Sequence, residues 1–126
     1  MKSKEFFKTL VIGASENPDR YANKAIKLLI KKGFPVVAIG NKEGTVEGVK
    51  IEKGKKSFND IHTVTLYINP RIQTEYYEYF ISLKPKRIIF NPGTENPEFY
   101  KIASENGIAK EEACTLVLLN LGEYDK

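Results

Sequence analysis

The chain has 126 residues, 41% hydrophobic and 29% charged, with nine glycines and six prolines; this length and composition lead us to expect one hydrophobic core in a single folded globular domain over 1–126, with no second catalytic domain and no fibrous character. A net charge of +4 and a pI near 9.1 leave room for an anionic ligand. Arginine-rich blocks are absent, and the densest basic stretch, "KGKKS" at 53–57, is flanked by Glu52 and Asp60, so it reads as a solvated loop and no nucleic-acid partner is expected.

Thr9 to Ile12 is a short apolar, partly β-branched run without charge, the pattern of a strand covered on both faces. Ala22, Ala25, Ile26, Leu29 and Ile30 then recur at helical spacing, with Gly33 where a left-handed cap belongs. "FPVVAI", 34–39, is a second buried strand, and 40–63, with four glycines, is a loop with room for a small hairpin. "VTLYI", 64–68, is the third strand, followed by Asn69 and Pro70 at the cap and first turn of a helix whose apolar face is Ile72, Tyr76, Tyr79, Phe80 and Leu83. On this spacing Tyr77 faces outward. "RIIF", 87–90, is the fourth strand, "NPGTENP" turns the chain, and Phe99, Ile102 and Ala103 mark another helix ending near Gly107. A short strand is expected at 107–109, then a strand or helical turn over "CTLVLL".

Short strands alternating with helices imply right-handed crossovers: an α/β, Rossmann-like, doubly wound and mainly parallel sheet of about five strands, with helices on both faces. Ligands of such sheets bind beyond the carboxyl ends of the strands. The loops to inspect are therefore 13–21, 40–44, 69–71 and 91–94. In the first, Gly13 permits a tight exit from the strand, and the helix that follows aims its free amides and positive dipole end at the turn, where an anion such as phosphate fits. Ser15 and Arg20 can add hydrogen bonds. The G-x-G-x-x-G spacing of a dinucleotide turn is absent, since positions 15 and 18 are Ser15 and Pro18, and the second strand ends in Gly40, Asn41 and Lys42 with no ribose-binding acid at its tip. A lysine there suits a phosphorylated ribose.

"GASENPDRYANKA", with "NK" after the second strand, "INP" after the third and "NPGTEN" after the fourth, resembles the small stand-alone CoA-binding proteins over roughly residues 8–120. Their fold is similar to the CoA-binding domain of the succinyl-CoA synthetase α subunit. The resemblance implies that Gly13, Ala14, Ser15, Pro18, Arg20 and Tyr21 surround the diphosphate of coenzyme A. It further implies that Asn41 and Lys42 lie near the adenosine and its 3′-phosphate, that Ile68, Asn69 and Pro70 wall the adenine or ribose, and that Asn91, Pro92 and Gly93 line the pantetheine path.

No catalytic constellation emerges. His62 precedes the third strand, at the end of the sheet away from these loops; Cys114 reads as a small buried apolar residue; Glu111 and Glu112, being adjacent, point apart; and metal-ligand spacing is missing. With one cysteine, no leader-like run in "MKSKEFFKTL" and no span of ~20 apolar residues, a cytoplasmic protein without a membrane partner is expected. The reading is a non-catalytic binder of CoA or acyl-CoA, with a protein partner or a second copy of the chain left open. The alternatives are an NAD(P)-binding domain and a ligand-free interaction subunit on the same scaffold.

Overall fold

The computed structural model describes residues 3–126. Among these residues, seven strands form one sheet in the order β3-β4-β2-β1-β5-β6-β7. They are β1 (Thr9–Ile12), β2 (Val36–Ile39), β3 (Gly44–Val46), β4 (Val49–Glu52), β5 (Thr63–Leu66), β6 (Arg87–Phe90) and β7 (Ala109–Glu112). All neighbours pair parallel except β3 and β4, which are antiparallel. The sheet thus has two strands beyond the expected five, because the loop after β2 folds back as a hairpin through Glu47 and Gly48, both at positive φ, and adds β4 beside β2.

β1 and most of β6 are apolar without alternation because both faces of the sheet are covered, and β5, which alternates threonine with Val64 and Leu66, is likewise buried at every position. On one side Val11, Ala38 and Ile89 pack with Ala22, Ile26 and Leu29 of α1 (Tyr21–Lys31), Leu119 of α5 (Thr115–Asn120) and Tyr124. On the other, Leu10, Ile12, Val64, Leu66 and Phe90 meet Tyr79 and Phe80 of α3 (Tyr77–Ser82) and Phe99 and Ala103 of α4 (Pro97–Glu105). A half-buried Arg87 ties the amino end of the sheet to the C-terminal residues: Nε donates to Thr63 Oγ1 at 2.8 Å and Nη2 to the Tyr124 carbonyl at 2.7 Å.

Several boundaries differ from the sequence reading. β2 begins at Val36, since Pro35 has no amide to give a ladder and only its carbonyl accepts, from Thr9 N at 3.0 Å. Tyr67 and Ile68 lie beyond β5. The helix after Asn69 is broken into α2 (Pro70–Gln73), a 3-10 turn (Thr74–Tyr76) and α3, so its faces do not follow one stripe. Tyr77 is consequently half-buried, its ring centroid 4.5 Å from that of Phe99. β7 follows the apolar Ile108 instead of containing it, and "CTLVLL" resolves as α5 because Leu119 packs into the layer shared with α1.

Candidate functional site

The chain leaves β1 toward β2 on one side of the sheet and later returns through β5 on the other, so the connections at the carboxyl ends of β1 and β5 diverge and leave a crevice. A cleft of about 990 Å³ occupies it. Its walls come from the loops after β1, β2, β5 and β6.

The first wall depends on two glycines. Gly13 has φ +92°, and a Cβ there would stand 2.8 Å from the Tyr67 carbonyl oxygen; a Cβ on Gly40 would come within 2.2 Å of the Ala14 carbonyl oxygen. Three strand exits are thereby packed backbone to backbone. Beyond them Ser15 Oγ accepts from Asn17 N at 3.0 Å and Asn17 Oδ1 from Asp19 N at 2.9 Å, which coils the loop toward the helix. Buried Asn23 donates from Nδ2 to the Ser15 carbonyl at 2.9 Å, and Lys24 Nζ to the Pro18 carbonyl at 3.0 Å, pinning the loop onto α1. Glu16 reaches the other way and accepts from Thr45 N of β3 at 2.8 Å. α1 itself starts without a side-chain cap: Arg20 occupies the cap position with extended backbone, and no acid lies in the first turn. Its leading amides and the positive end of its dipole are left to the cleft, where Arg20, Tyr21 and Ala22 form part of the lining.

The opposite wall is an apolar shelf of Ile68, Ile72 and Tyr76, with Pro92, Gly93 and Thr94 beside it. Gln73, fully buried, clamps it together: Nε2 donates to the carbonyls of Ile68 at 3.0 Å and Thr94 at 2.8 Å, while Oε1 accepts from Asn96 Nδ2 at 2.9 Å. Asn69 Oδ1 caps α2 through Ile72 N at 3.0 Å, and Asn96 Oδ1 caps α4 through Phe99 N at 3.1 Å. At the floor, burial pushes the Tyr67 phenol up to about 12, with Thr115 and Thr65 drawing it part of the way back.

Of the residues singled out from the sequence, Gly13, Ala14, Ser15, Arg20, Tyr21, Asn41, Lys42, Ile68, Asn69, Pro92 and Gly93 line this one cleft. Pro18, Pro70 and Asn91 are not among the lining residues. Pro18 stays with the loop, where its carbonyl holds Lys24, and Pro70 opens α2. Asn91 is buried and committed internally: Nδ2 donates to Thr65 Oγ1 at 2.7 Å and the Leu66 carbonyl at 2.8 Å, and Oδ1 accepts from Thr115 N at 2.9 Å. Sequence reasoning missed Glu16, Tyr67, Ile72, Tyr76 and Thr94 as lining residues, and Gln73 as their support. The spacing in the sequence puts Ile72 and Tyr76 on a core face; in the structure Ile72 is exposed at the cleft, and Tyr76, in the 3-10 turn, borders the cleft while its ring still stacks on Phe80.

His62 lies at the amino ends of the strands, its backbone bonded to Lys8 and Lys86 and its ring against Phe6 and Phe7. Cys114 is half-buried at the cap position of α5 rather than fully enclosed. Glu111 pairs with Arg87 at 3.3 Å and Glu112 with Lys110 at 2.8 Å, so the two carboxylates serve different partners. Among the described residues no group of three or more His, Cys, Asp or Glu side chains is placed to hold a metal, and no helix is long and apolar enough to cross a membrane.

Comparison with known proteins agrees with this architecture. Residues 8–120 match the family model for the CoA binding domain. The chain is 47% identical to an uncharacterized protein of known crystal structure, with a TM-score of 0.89 over 92% of this chain and 96% of that one. A hypothetical protein from Pyrococcus horikoshii OT3 is 30% identical, with a TM-score of 0.80 over 88% of this chain and 80% of that one. The fold also recurs within the dinucleotide-forming acetyl-coenzyme A synthetase 1 of Ca. Korarchaeum cryptofilum, at 15% identity and a TM-score of 0.70, over 86% of this chain and 26% of that one. No curated protein matches.

Proposed function

The chain belongs to the CoA binding domain family, and from that premise we propose that it is a binding module for coenzyme A or an acyl-CoA, with no covalent chemistry of its own. The observation that carries the reading is the uncapped start of α1, with Arg20 at its cap position, opening onto the cleft at the crevice of the sheet. A diphosphate supplies what those amides lack: acceptor oxygens and negative charge at a positive helix end. The remaining walls suit the rest of the molecule. Ile68, Ile72 and Tyr76 offer an apolar border for adenine, Lys42 with Asn41 stands at the β2 exit for the adenosine side, and Pro92 with Gly93 borders the cleft where the pantetheine arm would run. The cleft volume lies at the upper end of the roughly 300–1,000 Å³ usual for small-molecule sites, as a long ligand requires.

The test is calorimetric titration of the purified protein with CoA, dephospho-CoA, NADP and NAD. CoA is expected to bind tightest. Weaker binding of CoA than of every other nucleotide overturns the assignment, and a win for NADP or NAD replaces it with a nicotinamide-nucleotide site.

A further inference from the structure

The "KGKKS" stretch is solvent-exposed as expected and is not itself part of the cleft lining, but it lies beside it. β4 runs parallel to β2, so its exit, like that of β2, lies at the carboxyl end of the sheet, and Lys53, Lys55 and Lys56 follow directly. Two contacts fold this loop over the tyrosines of the helical segment. Lys55 Nζ sits 5.4 Å from the ring centroid of Tyr76, itself part of the cleft lining, and the Tyr79 hydroxyl donates to the Lys56 carbonyl. All three lysines are exposed, and none forms an ion pair among the described residues.

The charge of the lining makes these lysines matter. Arg20 and Lys42 stand against Glu16, Asp19 and Glu43, so the walls alone bring no net positive charge to a polyanionic ligand. A phosphate monoester on a ribose carries about −1.5 to −2 near neutral pH and gains most from several cations gathered around it.

We propose that the loop 53–56, held over Tyr76, forms a second anion-binding element of the cleft, one that selects nucleotides whose adenosine ribose carries a phosphate monoester. This rests on the nucleotide-binding reading given above. It adds to Lys42, which reaches the cleft from β2, a set of charges delivered from β4. Adenine against Ile68 and Ile72, beside the Tyr76 ring over which Lys55 sits, would bring its ribose toward the loop. The same chemistry is offered by the 3′-phosphate of CoA and the 2′-phosphate of NADP, and the ligand arms of the experiment separate them.

The experiment compares the parent protein, Lys55→Ala, the triple variant Lys53→Ala/Lys55→Ala/Lys56→Ala, and Lys42→Ala in titrations with CoA, dephospho-CoA, NADP and NAD at low and high salt. The triple variant is expected to lose about tenfold in CoA affinity while dephospho-CoA affinity changes by less than about twofold, with Lys55→Ala giving part of the loss. The preference of the parent for CoA over dephospho-CoA should shrink with added salt, as exposed charges are screened. Unchanged binding of the dephospho ligand serves as the check that the variant is folded. Retention of the full preference by the triple variant, with its loss in Lys42→Ala, overturns the inference. So does an equal weakening of both ligands. If the parent binds neither CoA nor dephospho-CoA but prefers NADP over NAD through the same lysines, the CoA assignment fails and the loop inference stands; if it binds no nucleotide, both fail.

Discussion

Arg20 occupies the cap position of α1 without capping it, and this frees the guanidinium for a ligand. It is exposed and makes no ion pair among the described residues. Arg20→Ala should therefore leave the melting temperature of the ligand-free protein unchanged while weakening CoA binding by about 1.5–3 kcal/mol, the worth of a hydrogen bond to a charged group. Calorimetry on both proteins reads this directly, and unchanged affinity removes the side chain from the site. Gly13 presents the opposite case. Its φ of +92° and the 2.8 Å approach of an added Cβ to the Tyr67 carbonyl make it a structural requirement of the turn, independent of any ligand. Gly13→Ala should cost on the order of 1–3 kcal/mol in chemical denaturation, because neither backbone segment can yield without disturbing β1 or the β5 exit.

Between these residues and the fold stands the clamp of Gln73, which joins the β5 and β6 exits. Replacing it by leucine keeps an approximate volume but orphans the Ile68 and Thr94 carbonyls and one bond of Asn96; each buried group left unpaired costs about 1–3 kcal/mol. Gln73→Leu should lower the urea midpoint and also weaken CoA binding, since the shelf and the Pro92–Gly93 rim lose their common anchor. A loss of stability with affinity intact would show that the clamp holds the fold and not the site. Nothing in the sequence marks Gln73, because it falls among polar helix positions and its burial is created by a turn of chain some twenty residues later. The elements that were legible carry their signal locally: the charge-free run of β1, the stripe of α1, and Asn69–Pro70 as cap and first turn. β7 was legible as a strand near 107–109 but not in its bounds, because the exposed, charged "AKEE" of an edge strand lacks an apolar pattern and is specified by β6 beside it. α5 was ambiguous because a short apolar run does not distinguish helix from strand until its partner α1 is known. In the site, the loop residues were legible since turn chemistry is local; Tyr76 and the basic loop became neighbours of the cleft only through the broken helix and the added strand β4.

At the scale of the whole molecule, the two layers enclose phenols whose protons are part of the stability. Tyr67 is held at about 12 against an ordinary value of 10.0, chiefly by burial. Its hydroxyl lies beside Thr115 and Thr65 without a hydrogen bond of normal geometry to either, since those hydroxyls bond each other at 2.8 Å and Thr65 also accepts from Asn91. Burial likewise raises Tyr79, to about 12, and Tyr124. In the unfolded chain these groups ionise near 10, whereas the folded protein keeps their protons. The folded state thus binds more protons above pH 10, so the stabilisation is full below that pH and is lost as pH rises toward 12. For Tyr67 the loss is of order 2 kcal/mol. Because Tyr79 and Tyr124 contribute as well, the parent curve alone does not isolate it, but Tyr67→Phe does. That variant removes a hydroxyl with no bond to lose, so at pH 7 its denaturation midpoint should match the parent or exceed it. Between pH 10 and 12 its stability should fall less steeply than the parent's. Parallel curves across that window would mean that the phenol ionises as readily folded as unfolded, and hence that the floor of the cleft admits water to the hydroxyl.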